Sequence, residues 1–422
     1  MVQLQLVEEF LSPNETETSQ ENRRTVAMIL YERPRGWISY DVHRVATPLI
    51  EAKSMVMSLR TIPYQRAWVD DLQKMELKRE VAGTSRIEGA EFTERELEAA
   101  MQETPEELVT RSQRQAQAAL KAYRWLPTVP DDQPITPELI CEIHRLIVTG
   151  ADDDHCAPGV IRGRDQNVHF GVPRHRGVEG GAECADVFAQ FAQAIQREYK
   201  EHDPIVQALA AHYHFAAMHP FLDGNGRTAR ALEALMLRRA GLRDTTFIAM
   251  SNYYYDEKTA YLAALAAVRR GQCDLTEFLV FALKGIATQT RRLLNEIQHN
   301  VSKELFRNLM YNLFNHLRTP RKRVIAERQI NILKLLLEVD WMPLEKIIDR
   351  TDSEYRSLKE PRTAVVRDLN SLIGLGALKF EKVASGSFRI GVRLEWPTEI
   401  TETRFFEQLK KLPKAKTHAF LQ

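Results

Sequence analysis

Apolar residues recur at three- and four-residue intervals over Thr47–Leu59 and again over Tyr64–Leu77, the period of amphipathic helices. Residues 1–40 show neither that period nor strand alternation, so a loose leader is expected, with order beginning near Val42. Gly83 interrupts the second run. A long helical run is predicted over Glu94–Trp125, with Thr93 and Glu96 spaced as a capping box. Pro127, Pro130 and Pro134 then mark a linker before a helix over Pro137–Val148. Between Gly150 and Gly181 the chain is loop-rich, and only Asn167-Val168-His169-Phe170 reads as a short strand or hairpin arm. The helical period returns over Cys184–Tyr199, Pro204–Met218, Arg227–Ala240, Glu257–Arg270 and Leu275–Ile297. There is no internal repeat. Residues 1–300 are expected to be overwhelmingly helical with one small β element.

The C-terminal third has a different rhythm. Gln329–Val339, Pro343–Ile348 and Pro361–Ile373 predict three helices. Leu378–Lys382 and Ser387–Trp396 alternate like two strands around Ser385-Gly386, and three helices followed by a hairpin is the order of a winged helix. In that reading the helix from Pro361 enters a DNA groove, with Arg362 and Arg367 as phosphate or base contacts. Glu360, Asp368 and Glu381 dilute the local charge, and a protein-contact module is the alternative. The fold class is therefore mainly α, in five segments: leader 1–40, helical region 41–126, core 127–300, winged helix 301–396 and basic tail 397–422.

A composition of 44% hydrophobic and 27% charged residues over 422 positions is that of a globular chain, which excludes disordered and low-complexity classes. The net charge is only +1, but residues 301–422 hold 23 Lys and Arg against 15 Asp and Glu, so the basic surplus is C-terminal. Cys141, Cys156, Cys184 and Cys273 form no Cys-x-x-Cys pair, which argues against a disulfide framework and a sulfur-ligated zinc site. No signal peptide or membrane span is legible, and a cytoplasmic location is expected.

Candidate chemistry concentrates in His219-Pro220-Phe221-Leu222-Asp223-Gly224-Asn225-Gly226-Arg227-Thr228-Ala229-Arg230, between two helical patterns. Gly224, Asn225 and Gly226 tolerate left-handed backbone, so successive N–H groups can converge on an anion at a helix N-terminus. Arg227 and Arg230, three apart, add guanidinium forks suited to a polyphosphate. Asp223 offers a hard oxygen for Mg²⁺, and His219 can accept a proton from a hydroxyl. The spacing lacks the third ligand and turn glycine of a Ca²⁺ loop, and the chain has neither a Walker nor a dinucleotide glycine motif. By itself, Asp-Gly-Asn-Gly is equally a tight turn with solvated arginines.

The whole string resembles the Fic family signature H-x-F-x-[DE]-G-N-G-R-x-x-R at every fixed position, and residues from about 136 to 290 resemble its all-helical core. The resemblance implies transfer of AMP from ATP to a hydroxyl side chain (Ser, Thr or Tyr) of a target protein, with release of pyrophosphate. By position it implies His219 as general base and Asp223 as ligand of Mg²⁺ or Mn²⁺. Gly224, Asn225 and Gly226 become the phosphate nest and Arg227 and Arg230 the clamps, with Thr228 and Ala229 in the same nucleotide-binding stretch. Some phosphorylating relatives carry Lys where Gly226 stands, so Gly226 favours adenylylation.

Upstream, Thr84-Ser85-Arg86-Ile87-Glu88-Gly89 resembles the family's inhibitory motif, [ST]-x-x-x-E-[GN], which implies that Glu88 pairs with Arg230 and misplaces ATP. Asp165–Gly171 resembles the flap that aligns a target segment by strand addition, with Val168 facing ATP. Tyr261 stands where relatives place a tyrosine near adenine, although a helix tyrosine is equally a core residue, and Leu262 replaces its usual tyrosine neighbour. His212 and His214 lie two apart on a helix, too divergent to form a zinc cluster with His219. The expected partners are ATP, a protein docked on the flap, DNA or protein at the winged helix, and a second copy in a homodimer. Two rival readings remain: a hydrolase that removes AMP at the same site, and a DNA-binding regulator whose core only senses nucleotide.

Overall fold

Asp41 fixes the start of the first long helix by accepting hydrogen bonds from the N–H groups of His43 and Arg44 at 2.9 and 3.2 Å. That helix, α1, spans Val42–Thr61. The computed structural model describes residues 28–62, 66–102, 108, 110–171, 174–241, 248–315, 320–383, 386–411 and 421. Most of the expected leader, residues 1–27, lies outside them, as do Ser385 and residues 412–420 of the expected tail. Order nevertheless begins before Val42. Strand β1 covers Ile29–Leu30, Trp37 and Ile38 are buried, and the Trp37 ring lies 5.6 Å from Phe191 and 5.2 Å from His214. Residues 28–40 lack periodicity because they are held by single anchors rather than by a repeating face.

Helix α2 runs from Arg66 to Ile87, straight through Gly83. Gly83 is not a break: a Cβ there would come within 2.5 Å of the Ser251 and Asn252 backbone, so the glycine admits a close helix crossing. The predicted run Glu94–Trp125 is two helices. α3, Glu94–Ala100, starts at the Thr93/Glu96 capping box, and α4, Arg111–Trp125, starts at a second box made by Thr110 and Gln113. Pro105, which cannot sit in a helix interior, falls between them, outside the described residues.

Helix α5, Pro137–Val148, begins with the Thr136 cap and proline at its first position. The expected hairpin arm is strand β2, His169–Phe170, antiparallel to β3, His175–Arg176, with Phe170 opposite His175. β1 joins β3 in parallel, giving the order β1-β3-β2. There follow α6, Ala182–Gln196, α7, Pro204–Met218, and α8, Asn225–Arg239. α7 is apolar on nearly every side and is the central helix, packed along α8 and α6. Phe188, Phe191, Phe215 and Phe221 meet in tilted and edge-on contacts with centroids 6.1 to 6.3 Å apart. Each such fully buried side chain contributes on the order of 1.5–3 kcal/mol before entropy is counted. α9, Met250–Asp256, α10, Lys258–Arg270, and the N-terminal part of α11, Thr276–Asn315, complete this part. α9 went unforeseen because two turns are too short to show a period.

The chain divides into two compact units, Met1–Leu294 and Asn295–Gln422. In the second, α12, Pro320–Val339, precedes strand β4, Trp341–Pro343, then α13, Leu344–Arg350, α14, Asp352–Tyr355, and α15, Pro361–Gly374. β5, Leu378–Lys382, and β6, Phe388–Val392, pair antiparallel, and β4 adds to β6 in the order β4-β6-β5. This has the element order of a winged helix, with a third strand that the sequence pattern hides in three residues. Short α16, Trp396–Glu399, and α17, Glu402–Lys411, follow. Asp368 does not dilute surface charge as expected. It is buried, and it accepts from Arg328 at 3.1 Å and from the Tyr355 hydroxyl at 2.9 Å. Arg362 is engaged by Glu345 at 2.6 and 2.8 Å, while Arg367 is exposed. No helix among the described residues is long and apolar enough to cross a membrane.

Candidate functional site

α7 ends at His219, whose backbone turns left-handed at φ 52°. A non-glycine residue holds that conformation only where its surroundings impose it. Here the buried Arg162 donates to the His219 carbonyl at 2.8 Å, to Gln166 O at 2.6 Å and to Val178 O at 2.5 Å. His219 Nδ1 lies 2.8 Å from the Ala216 carbonyl, which can only accept, so the ring proton sits on Nδ1 and Nε2 keeps its lone pair. Burial pushes the imidazole down to about 4, with the charge of Arg269 helping and the Ala216 bond and Glu88 opposing. His219 is therefore a neutral base at physiological pH. The Phe170 ring stacks on it at 3.7 Å and 10°, which ties the β2–β3 hairpin to the base.

The loop after His219 is stapled from within. Asn225 accepts from Phe221 N at 2.9 Å and returns its amide to Phe221 O at 2.8 Å. Gly224 has φ 74°, and a Cβ on it would lie 2.6 Å from Val148 Cγ1, so glycine is required on both counts. α8 begins immediately afterwards, and the N–H groups of its first turn have no acceptor inside the helix. Of the three residues expected to take left-handed backbone only Gly224 does, because Asn225 and Gly226 already belong to the first turn of α8. His144 supports the loop: it accepts from Gly159 N at 2.9 Å on Nδ1 and donates from Nε2 to the Asp223 carbonyl at 3.0 Å. Burial lowers it to about 4, in keeping with this neutral tautomer.

Arg227 and Arg230 are held by separate carboxylates. Arg227 bonds Asp152 at 2.5 Å and reaches Asp223 at 3.4 Å. Asp152, fully buried, also accepts from Arg111 and from Gln115 at 2.9 Å. Arg111 reaches Asp223 as well, at 3.4 Å, so two guanidiniums flank the carboxylate expected to bind metal. Arg230 donates to Thr84 Oγ1 at 2.9 Å, to Thr84 O at 3.1 Å and to Glu88 Oε1 at 2.7 Å. Thr84 and Glu88, the first and fifth residues of the upstream motif, therefore close on the same arginine. Burial pushes the Glu88 carboxyl up, but Arg230 and Arg227 outweigh it and hold the group below its ordinary value. A Cβ at Gly226 would collide with Glu88 Oε1, so glycine there leaves room for the carboxylate over the nest.

Thr228 and Ala229 are fully buried, Ala229 within the apolar core, and Thr228 Oγ1 has no partner among the described residues. Val168 is half-buried and pairs through its carbonyl with Gly177 N at 3.1 Å. Tyr261 is only 3% exposed, and its ring lies against Tyr254. His212 and His214 point to different partners, Glu233 and Tyr261 for the first and the Trp37 carbonyl for the second. No cluster of three His, Cys, Asp or Glu that could hold a metal exists among the described residues. Asp152, Arg111, His144 and Arg162 escaped sequence reasoning because they lie in loop-rich or generic helical sequence. Only the acidic run Asp152-Asp153-Asp154 hinted at any of them.

Residues 134–237 match the sequence profile described as Fic/DOC family. The Protein adenylyltransferase Fic of Drosophila willistoni is 32% identical over 146 residues, which is 34% of this chain and 28% of that protein. Its counterpart from Drosophila ananassae is 31% identical over the same length, again 34% and 28%. The aligned stretch thus spans little more than a quarter of these relatives. A Fic family protein from Desulfovibrio desulfuricans G20 has a similar structure, with a TM-score of 0.54 at 17% identity over 86% of this chain and 98% of that one. At that identity the likeness concerns the fold alone.

Proposed function

From the Fic/DOC family domain over residues 134–237, we propose that this chain is an autoinhibited protein adenylyltransferase acting in the cytoplasm. A hydroxyl of a target protein attacks the α-phosphorus of ATP. The new P–O bond forms on the side chain as the bond to pyrophosphate breaks, and the hydroxyl proton passes to His219 Nε2. The single observation that carries the reading is the convergence of three elements on one loop: a neutral base with a free lone pair, a nest at a helix N-terminus, and a carboxylate holding Arg230. The curated relatives over this stretch are named adenylyltransferases, which agrees.

Each residue has a task in the reading. Arg162 and Phe170 orient His219. A bound triphosphate raises its low pKa, because nearby negative charge favours the imidazolium that forms on proton transfer. The nest and Arg227 hold phosphate oxygens. Asp223, one half-exposed carboxylate without a protein cage, suits Mg²⁺ or Mn²⁺ that arrives with the nucleotide and keeps phosphate and water ligands. Such an ion would supply charge neutralisation on the phosphates. Glu88 sits over the nest and occupies Arg230, so ATP docks badly until that pair opens. The β2–β3 hairpin offers backbone to a target segment by strand addition. The test is ATP binding beside transfer: His219→Ala should abolish transfer and leave nucleotide affinity intact. Transfer that persists at wild-type rate in this variant rejects the mechanism.

A further inference from the structure

A cation without a counter-charge lies against the hairpin ring that stacks on the base. Arg269, in the last turn of α10, sits over the Phe170 ring at 4.9 Å, and that ring lies 3.7 Å from His219. Every other arginine of the site is held by an acceptor: Arg111 and Arg227 by Asp152, Arg230 by Glu88 and Thr84, and Arg162 by three carbonyls. Arg269 is half-buried, its Nε is enclosed with no acceptor, and no carboxylate among the described residues pairs with it. Burial pushes its pKa down, opposed only by the phenols of Tyr213 and Tyr261. Its charge is felt nearby: it helps to lower His219 and, with the exposed Arg270, lowers the buried His175, whose ring lies 6.1 Å from Phe170. A partly desolvated charge without a partner is unfavourable, and a carboxylate brought from outside relieves it.

The sheet sets where that carboxylate must stand. In the order β1-β3-β2, one edge of β2 is paired with β3 and the other is unpaired among the described residues, so a target strand can add there. Phe170 and His175 are directly opposite across the hairpin and share a face, the one that meets His219. A hydroxyl residue presented to His219 points to that face too. In an extended strand the next side chains on the same face are two residues before and two after, about 7 Å away. That matches the reach from the base across Phe170 to Arg269. Resting on the reading that the hairpin docks the target, we propose that Arg269 is a specificity-determining residue, and that the protein segment modified here carries Asp or Glu two residues from its hydroxyl.

The experiment uses the full chain carrying Glu88→Gly and short synthetic peptides, each with one threonine in an otherwise identical neutral sequence. One has Glu two residues to either side of the threonine, one has Glu at the adjacent positions, and one has Lys two residues to either side. AMP transfer to the first should exceed transfer to the others by roughly 5- to 10-fold in kcat/KM, mostly through KM, the worth of one charge-assisted bond at a half-buried arginine. Arg269→Gln should erase that difference with ATP affinity unchanged. Arg269→Lys should keep most of it, and Arg269→Glu should favour the lysine peptide. Equal transfer to the three peptides, or a preference that survives Arg269→Gln, overturns the proposal. Weaker ATP binding in Arg269→Gln also overturns it, by making Arg269 a nucleotide contact. A second arm needs no nucleotide: fluorescence anisotropy of the labelled peptides should give the same order of affinity, lost in Arg269→Gln. If no peptide takes AMP, this arm judges the surface, and equal or absent binding rejects it; if the chain itself takes none either, the proposed function fails as well.

Discussion

Replacing Glu88 by glycine removes the carboxylate from Arg230 and leaves that arginine in place, because Thr84 still bonds it twice. The Glu88–Arg230 contact is a charge-assisted bond of 2.7 Å between a guanidinium that is 2% exposed and a carboxylate that is 36% exposed. Bonds to charged groups are worth roughly 1.5–3 kcal/mol, and partial exposure of the carboxylate places this one near the lower bound. At about 1.4 kcal/mol per decade, loss of the pair should strengthen productive ATP binding by roughly 10- to 30-fold. Incorporation of α-labelled phosphate into target and into the enzyme itself should rise by a similar factor with Mg²⁺ present. Glu88→Asp should recover only part of this, since the shorter side chain reaches Arg230 less well. In the Glu88→Gly, Arg230→Ala double variant the gain should vanish with the freed partner. If Glu88→Gly transfers at the wild-type rate while His219 remains essential, Glu88 is not a brake. A carboxylate that orients water for AMP removal then becomes the better account of its place beside the base.

Asp152→Asn should lower thermal stability sharply, because breaking a buried pair strands Arg227 at a cost of about 3–5 kcal/mol; an unchanged melting temperature contradicts that role. Acid should destabilise the first unit between about pH 6.5 and 4. His144, His175, His214 and His219 are each pushed by burial down to about 4 from 6.5, so unfolding takes up their protons in that window. Glu80, raised by burial to about 7, has the opposite sign and offsets about one of them, leaving a net uptake of about three protons near pH 5. A pH-independent unfolding free energy in this window refutes the assignment. If the second unit binds DNA, affinity should fall steeply with salt, and Arg362 and Arg367 replaced together should flatten that slope. Arg362 must first leave Glu345, so salt-insensitive or absent binding to duplex at low salt would favour a protein-contact module.

Much of the site was legible because the nest depends on local backbone chemistry. Gly224 takes the left-handed backbone its type permits and the arginines follow at helical spacing, whereas Asn225 is helical and acts through its side chain on Phe221, a role the sequence reading did not give it. The Thr84 and Glu88 contacts with Arg230 span more than 140 residues, and only resemblance to a known motif could anticipate them. Asp152, Arg111 and His144 act through long-range geometry that carries no period or spacing, and only the acidic run at Asp152 gave a local hint of any of them. The fold shows the same division. Helices α5, α6, α7, α8 and α10 were placed within a few residues, whereas α2 and α11 run well past their expected ends at Leu77 and Ile297 and α12 starts well before Gln329. Gly83 was misread because its role is a crossing with Ser251 that the sequence does not display. Two-residue strands and the seven-residue α9 are too short to establish a repeat.

The central claim is that AMP, and not phosphate, moves to a protein hydroxyl at His219. Purified Glu88→Gly protein should be incubated with Mg²⁺ and either α-labelled or γ-labelled ATP, beside the same protein carrying His219→Ala. The account predicts protein-bound label from α-labelled ATP alone, lost with His219→Ala, with pyrophosphate released in equal amount. Label retained from γ-labelled ATP, or α-label incorporation that survives His219→Ala, would contradict it.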